Sequence, residues 1–202
     1  MNTGGAPPEP MQQMRYGPVA MDLSRPLTDG HVTVRAAEDA DAAAFLDYKR
    51  RPECQAYVSR TVDTLEQSST FIDRCRTEPD ALLCAVVVDG HVVGDIGGRR
   101  YRPESLGPEP DVHDFYLGYS ISPDHWNRGL AGAAVALVVP ALHEAGIRRV
   151  VAKTFAENAA SLRVLTRNGF RLEGTERQAV LGRDGRWLDD CTLAHLAEPA
   201  PR

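Results

Sequence analysis

The segment at residues 112–155 constrains the fold more than any other part of the chain. An aromatic and β-branched run at 112–121 is typical of a half-buried strand. A small-residue helix at 125–146 and a second β-branched run at 149–155 follow it. A strand, a helix and a strand in this order predict a right-handed crossover between two parallel strands. Pro140 lies inside the predicted helix, where we expect a bend and not an end.

Hairpins on both sides of the crossover predict a sheet of mixed direction. Asp-Gly pairs at 89–90 and 184–185 each join two strand-like runs, and this dipeptide is a strong signal for a tight hairpin turn. A strand at 31–37 with a helix after it, and a second helix that opens with a capping box at 64–67, precede the first hairpin. The predicted fold class is α/β, with a mixed, mostly antiparallel central sheet flanked by helices, in the order β-α-α-β-β-β-α-β-α-β-β.

A single domain and a tail account for the length of the chain. Residues 1–28 are rich in Gly, Pro and Gln without apolar periodicity, so this segment cannot bury enough surface to fold by itself. We expect a flexible N-terminal tail at 1–28 and one folded domain at 29–198, because 202 residues are few for two full domains. Three methionines in the tail leave open a later natural start: Met11, Met14 and Met21.

Charge and cysteine content argue against several classes of function. The formal net charge of -5 gives no global attraction to nucleic acid or to an anionic membrane, and we predict neither partner. No run of about 18 apolar residues indicates a membrane span, and the N-terminus lacks the basic and then apolar order of a signal peptide. The four cysteines form no CxxC pair and no metal-ligand spacing with the histidines. We therefore expect reduced thiols, no metal and a cytoplasmic protein.

The entrance of the predicted helix at 125–146 suits an anion. Backbone N–H groups at a helix N-terminus have no partner inside the helix and carry partial positive charge. Gly129, Ala131 and Gly132 keep large side chains out of the approach, and Arg128 adds charge at the rim. The alternative is a tight turn in which glycine only relieves strain. The chain has neither a P-loop nor a GxGxxG motif after a strand, which argues against a mononucleotide kinase or a Rossmann dehydrogenase.

Several motifs in a fixed order resemble the GNAT N-acetyltransferase superfamily. Its acyl-CoA signature reads Arg or Gln, two residues, Gly, one residue, then Gly or Ala, and residues 126–131 match it except at the first position, which is Trp. Gly-Tyr at 118–119, Asn and Ser at the ends of 158–161, and Gly-Phe at 169–170 are similar to the ribosomal-protein-acetylating (RimJ/RimL-like) branch, which tolerates that Trp. The resemblance implies a single GNAT domain that moves an acetyl group from acetyl-CoA to a primary amine.

The same resemblance implies which residues contact acetyl-CoA. Backbone amides of one segment are expected to hold the pyrophosphate: Asn127, Arg128, Gly129, Leu130, Ala131 and Gly132. The strand edge at Tyr119, Ser120 and Ile121 is expected to pair with the pantetheine arm, whose two amides satisfy an open edge. Asn158 is expected to contact the same arm, although Asn is also an ideal N-cap for the helix after it. The backbone N–H near Ile121 is the candidate donor to the oxyanion.

Acetyl transfer from a thioester to an amine needs a neutral nucleophile, stabilisation of the oxyanion and a proton for the leaving thiolate. The resemblance places Ser161 near the sulfur as the candidate acid, with a purely structural role in the first helical turn as the alternative. The tyrosine acid of other branches would fall at Leu165, and the strand glutamate that often acts as base is missing. Tyr116 occupies that position. Tyr116, Asp114, His113 and water are therefore the candidate bases.

Two alternatives to an acetyltransferase stay open, because the strand glutamate is missing and Leu165 replaces the tyrosine acid. A coenzyme A-binding regulatory protein without turnover is one, and a transferase for a different acyl group such as succinyl is the other. The amine acceptor, a protein N-terminus or a small molecule, would be selected by the 50–64 segment, the 102–111 loop and the closing hairpin, which carry no transferable motif. We expect a monomer or a homodimer.

Overall fold

One sheet forms the centre of the fold, which a computed structural model describes for residues 25–58, 60–108 and 111–197. Its strands are β1 (Leu27–Thr28), β2 (Thr33–Ala36), β3 (Ala81–Val88), β4 (His91–Tyr101), β5 (His113–Ile121), β6 (Ile147–Phe155), β7 (Arg171–Leu181) and β8 (Trp187–Leu196). They lie side by side in the order β1-β2-β3-β4-β5-β6-β8-β7. Among the described strands β5 and β6 are parallel and the other neighbours antiparallel. The predicted mixed, mostly antiparallel sheet is confirmed.

Helices cover both faces of this sheet. They are α1 (Ala42–Lys49), α2 (Pro52–Gln55), α3 (Leu65–Thr77), α4 (Leu130–Glu144) and α5 (Ala159–Arg167). Short 3₁₀ turns at Asp39–Asp41 and Pro123–His125 precede α1 and α4. The capping box at the start of α3 is present, with the Thr64 side chain accepting from the Gln67 backbone N–H. Each predicted hairpin and helix is therefore found near its predicted position.

Two hydrophobic cores lie on opposite faces of the sheet. Cys84 and Ala85 are neighbours on β3, so their side chains point to opposite faces, and each belongs to a different core. Helices α4 and α5 pack in the larger core with Cys84, whereas α1 and α3 pack in the smaller core with Ala85. The sheet therefore has an α4/α5 face and an α1/α3 face.

The crossover differs from its prediction mainly at the start of the helix. Helix α4 begins at Leu130 and not at 125, because the chain first makes a 3₁₀ turn and then reaches a left-handed Gly129 at the N-cap. Pro140 lies inside α4, which continues to Glu144. The prediction that Pro140 does not end the helix is thus confirmed, and the bend stays a prediction.

Two small elements were not predicted. Strand β1 has two residues and pairs Leu27 with Val34, and α2 is a four-residue helix that opens with Pro52. Neither is long enough to show a hydrophobic period. Residues 1–24 of the predicted tail at 1–28, with Met11, Met14 and Met21, lie outside the described residues. The last two residues of the tail, Leu27 and Thr28, form β1.

The parallel ladder between β5 and β6 is shorter than the two strands. It pairs residues 113–116 with residues 147–151. Beyond this point β5 stays paired with β4 as far as Ile121, and β6 stays paired with β8 as far as Phe155. Within the described residues, β5 and β6 therefore diverge after Tyr116, and a cleft opens between their C-terminal halves.

Candidate active site

A cavity of about 1000 Å³ occupies the cleft between β5 and β6. The ends of the two strands form its walls, at 117–121 and 152–154, and residues 125–132 close one end. The cavity continues onto the α1/α3 face, where α2 and α3 line it together with β3 and β4. One continuous space therefore connects the helix entrance with both faces of the sheet.

The peptide groups of β5 alternate between β4 and the cleft. The Ser122 N–H donates to the Val93 C=O at 2.8 Å, which fixes the phase of the antiparallel ladder. The backbone N–H and C=O of Ser120 therefore point to β4. The backbone N–H and C=O of Tyr119 and Ile121 point to the open edge. Tyr119 and Ile121 thus offer backbone groups to the cleft, and Ser120, which also lines the cavity, offers its side chain.

The helix entrance presents free backbone amides to the cavity. Gly129 has φ 77° and Asn127 has φ 59°, so the chain turns sharply before α4. The first helical bond of α4 runs from the Ala133 N–H to the Gly129 C=O at 3.0 Å. No side chain caps α4 and its first turn has no acidic residue, so among the described residues the N–H groups of 130–132 have no protein acceptor. This geometry matches the predicted anion site.

Trp126 joins the end of β5 to this turn. Its indole N–H donates to the Ile121 C=O at 2.6 Å, although its ring is half exposed. The bond uses a carbonyl that points toward the cleft. Trp126 therefore stabilises the corner where the strand edge meets the helix entrance, which is a physical reason for its place in the signature.

Ser161 and Tyr119 meet on the α4/α5 face of the cleft. The Tyr119 hydroxyl lies 2.9 Å from Ser161 Oγ, and either group can donate. Burial raises the pKa of Tyr119 to about 12, so its hydroxyl stays protonated at neutral pH. The Asn158 side chain accepts from the Ser161 backbone N–H at 3.1 Å, which confirms Asn158 as the N-cap of α5. Asn158 and Ser161 both line the cavity.

The predicted base candidates lie away from this pair. Tyr116 stacks on Tyr101, with ring centres 4.5 Å apart, and is not among the residues that line the cavity. Asp114 and His113 lie at the paired end of β5, where Asp114 is buried against Arg148 at 2.8 Å. These residues precede the point where the strands diverge. The structure therefore does not bring them together with Ser161.

Sequence reasoning missed one carboxylate that does line the cavity. Asp95 on β4 is only 7% exposed, and its Oδ1 accepts from Tyr48 Oη and from Lys49 Nζ, both at 2.6 Å. Burial raises the pKa of Tyr48 well above its usual value, followed by the effect of the Asp95 carboxylate, so Tyr48 remains a donor. An Asp within a strand-like run is unusual, and this was the available signal.

Sequence reasoning also missed two arginines near the helix entrance. Arg163 and Arg167 line the cavity from α5, together with Arg128 before α4. Their spacing of four residues places them on one face of the helix. Asn168, directly after α5, approaches Gly132 in the first turn of α4, so these arginines add positive charge to the end of the cavity beside the free amides. Leu165, between them, is fully buried in the larger core and contributes no polar group.

The described part of the chain contains no group of three His, Cys, Asp or Glu side chains arranged to hold a metal ion. In the same residues, no helix has the length and apolar character needed to cross a membrane. All four cysteines are free thiols, and two are buried.

Comparison with known proteins decides the family. The model of the Acetyltransferase (GNAT) domain matches residues 31–171. The chain belongs to this family of GNAT acetyltransferases. The predicted superfamily and enzyme class are thereby confirmed, as is the assignment of the chain as an N-acetyltransferase.

The similarity to known proteins covers most of the chain. The Uncharacterized N-acetyltransferase YnaD of Bacillus subtilis (strain 168) is 24% identical over 174 residues, which are 85% of this chain and 97% of YnaD. The L-amino acid N-acetyltransferase AaaT of Escherichia coli (strain K12) is 25% identical over 82% of this chain and 98% of its own. Mycobacterium smegmatis RimJ in complex with CoA-disulfide has a TM-score of 0.76 at 23% identity, over 93% of both chains. The likeness to RimJ shows that the GNAT acetyltransferase shares its fold.

Proposed function

We propose that this N-acetyltransferase binds acetyl-CoA in the cleft between β5 and β6 and transfers the acetyl group to a primary amine that enters from the α1/α3 face. The divergence of β5 and β6 after Tyr116 is the observation that carries the proposal. It leaves the backbone N–H and C=O of Tyr119 and the N–H of Ile121 open to a ligand with amides of its own, such as pantetheine. RimJ, which has the same fold, was solved with CoA-disulfide.

The phosphates of acetyl-CoA would lie at the entrance of α4. The amides of 130–132 provide donors there, and the arginines Arg128, Arg163 and Arg167 provide positive charge. An acidic residue in the first turn would stabilise the helix but would repel phosphate, and none is present. The residues of this end of the cavity therefore fit a polyanionic ligand.

The thioester would lie in the open part of the cleft beside the Tyr119–Ser161 pair. There, Ser161 would protonate the leaving thiolate and the Ile121 N–H would donate to the oxyanion. The name of AaaT makes a small amine such as an amino acid the first acceptor to test, with a protein N-terminus as the other. A cytoplasmic location and a monomeric or homodimeric state complete the proposal.

One observation favours the second candidate, a coenzyme A-binding regulatory protein without turnover. The base candidates of β5 do not line the cavity. The two functions differ in turnover and not in binding, so one pair of measurements separates them.

Thermal unfolding with acetyl-CoA, NAD or ATP tests the binding site. A ligand that binds only the native state raises the melting temperature by mass action. At a ligand concentration of 100 Kd, the free energy of unfolding rises by about 2.7 kcal/mol. We expect a shift with acetyl-CoA that exceeds both others, and equal shifts, or none, would contradict the site. Release of free CoA thiol from acetyl-CoA with a panel of primary amines then tests turnover. Binding without release would support the regulatory alternative.

A further inference from the structure

The part of the cavity on the α1/α3 face contains a buried carboxylate with a free oxygen. Asp95 Oδ1 accepts both hydrogen bonds, from Tyr48 and from Lys49, and among the described residues no group donates to Oδ2. Asp95 lines the cavity and is not fully enclosed. Its second oxygen is therefore open to a donor that enters the cavity.

The strand register places Asp95 beside the cleft and opposite the Ser161 pair. Asp95 is the partner of Ser120 on β5 and of Ala85 on β3, so it points to the α1/α3 face. It lies one strand, about 5 Å, from Ser120. Tyr119 and Ser161 approach the cleft from the α4/α5 face. A thioester in the cleft would therefore have a hydroxyl pair on one side and a carboxylate on the other.

Aromatic rings hold Lys49 in place beside Oδ1 of Asp95. Its ammonium lies 5.2 Å from the centre of the Phe71 ring and 5.4 Å from that of the Tyr48 ring. Cation–π contacts of this length stabilise the ammonium where it is. Lys49 thus offsets the charge of Asp95 through its contact with Oδ1.

We propose that Asp95 binds the ammonium group of the acceptor through Oδ2 and accepts its proton. The inference deepens the proposed function and rests on it. The acceptor class is a primary alkyl ammonium, because such a group arrives protonated at neutral pH and must lose a proton before it can attack.

The proton balance of the reaction assigns each step to one side of the cleft. The ammonium gives one proton to Asp95, which returns it to water. The lone pair of the neutral amine then attacks the thioester carbonyl carbon, the C–N bond forms and the C–S bond breaks, with its electron pair on sulfur. The nitrogen then loses its second proton to water, the thiolate gains one from Ser161, and Ser161 regains one from water, so the net release is one proton for each amide formed.

A purely structural role for Asp95 makes a different prediction. If Asp95 only neutralises Lys49 and ties α1 to β4, removing it affects all acceptors equally. If Asp95 takes the proton, its removal spares an acceptor that is already neutral. Ethylamine and methoxyamine have nearly the same size, but ethylamine is protonated at pH 7 and methoxyamine is not.

The experiment measures CoA release with these two probes in matched variants. Removing either partner of the Asp95–Lys49 pair leaves the other buried without a counter-ion, which is strongly destabilising. The double variant Asp95→Asn with Lys49→Met, which removes both charges, is therefore compared with the wild type. We expect kcat/KM for ethylamine, or in its place the fastest primary alkylamine of the panel, to fall at least about 100-fold. The value for methoxyamine should fall less than about tenfold. Asp80→Asn, which removes a carboxylate paired with Arg100 outside the cavity, is the control with unchanged activity.

Each outcome decides one of the two proposals. Equal losses with both probes, or no loss with ethylamine, would overturn the role of Asp95 while leaving the transferase intact. A wild-type chain that releases no CoA with any primary amine would instead overturn the proposed function.

Discussion

The Tyr119 hydroxyl and the Ser161 hydroxyl form one hydrogen-bonded pair, 2.9 Å apart, that connects β5 with the first turn of α5. Because Tyr119 stays protonated, it can donate to Ser161 Oγ and so leave the serine proton free for an acceptor in the cleft. A pair of this kind works as a unit, and its members should not contribute independently.

Ser161→Ala should therefore lower turnover by about 100-fold, the usual scale for a positioned acid, and leave the affinity for acetyl-CoA nearly unchanged. Tyr119→Phe should lower turnover by a smaller factor, because the serine remains. The double variant should be no slower than Ser161→Ala alone. Steady-state rates of the four proteins check this, and multiplicative losses in the double variant would show that the hydroxyls act independently.

Two glycines at opposite ends of α4 give a matched test of the phosphate site. Gly129 has φ 77° and Gly146 has φ 88°, and at each an added Cβ would meet no atom within 4 Å. Replacing either with Ala should cost about 1–2 kcal/mol of stability, because both adopt a left-handed conformation. Only Gly129 lines the cavity. Calorimetry should therefore show acetyl-CoA binding weakened at least tenfold, about 1.4 kcal/mol, in Gly129→Ala alone.

Equal affinities in the two variants would assign Gly129 to the turn and not to the ligand. Similar melting temperatures are the internal control, since they show that the backbone cost is the same at both ends of the helix.

The sequence predicted the elements whose signals are local. Asp-Gly turns, the capping box before α3 and the period change along 112–155 each depend on a few neighbouring residues, and each is found. The turn before α4 could be predicted in the same way, because glycine and asparagine, which favour a left-handed backbone, occur there at Gly129 and Asn127. These features made the helix entrance and the strand edge predictable.

Asp95, the proposed proton acceptor, could not be predicted, because its position depends on pairing between distant strands. Asp95 reaches the cavity through the register of β4 with β5, and Tyr48 and Lys49 reach Asp95 through the packing of α1. Tyr116 was a candidate because it occupies the position of the family's strand glutamate, and it lies just before the strands diverge. A shift of one residue in the pairing of two strands moves a side chain from one face of the sheet to the other. No local sequence pattern indicates which pairing the strands adopt.

Trp126 gives a direct optical test of the cleft. It is one of two tryptophans, and the other, Trp187, is exposed at the start of β8 and does not line the cavity. Binding of acetyl-CoA should change the intrinsic fluorescence of the wild type and of Trp187→Phe, but not that of Trp126→Phe. The Trp126→Phe variant also loses its bond to the Ile121 C=O, which should cost about 1 kcal/mol of stability. A fluorescence change that is lost in Trp187→Phe and kept in Trp126→Phe would place the ligand elsewhere.

Arg183 contacts the segment at 54–58, next to the proposed entry side of the acceptor. From the turn between β7 and β8 it donates to the Val58 C=O at 2.9 Å and to the Gln55 C=O at 3.3 Å. The segment it holds lines the cavity through Cys54 and Tyr57. Removing these bonds frees the segment without changing a group in the cleft, so the cost should appear in acceptor binding.

Arg183→Ala should therefore raise KM for the amine severalfold and leave KM for acetyl-CoA unchanged. Arg177→Ala, which removes an exposed arginine from β7 of the same hairpin, is the matched control and should change neither value. Because Arg183 is exposed, the melting temperature should move little, since exposed polar contacts contribute a few tenths of a kcal/mol. Equal changes in both KM values would mean that the segment supports the whole cleft. No change in either KM value would show that the two hydrogen bonds of Arg183 do not position the segment.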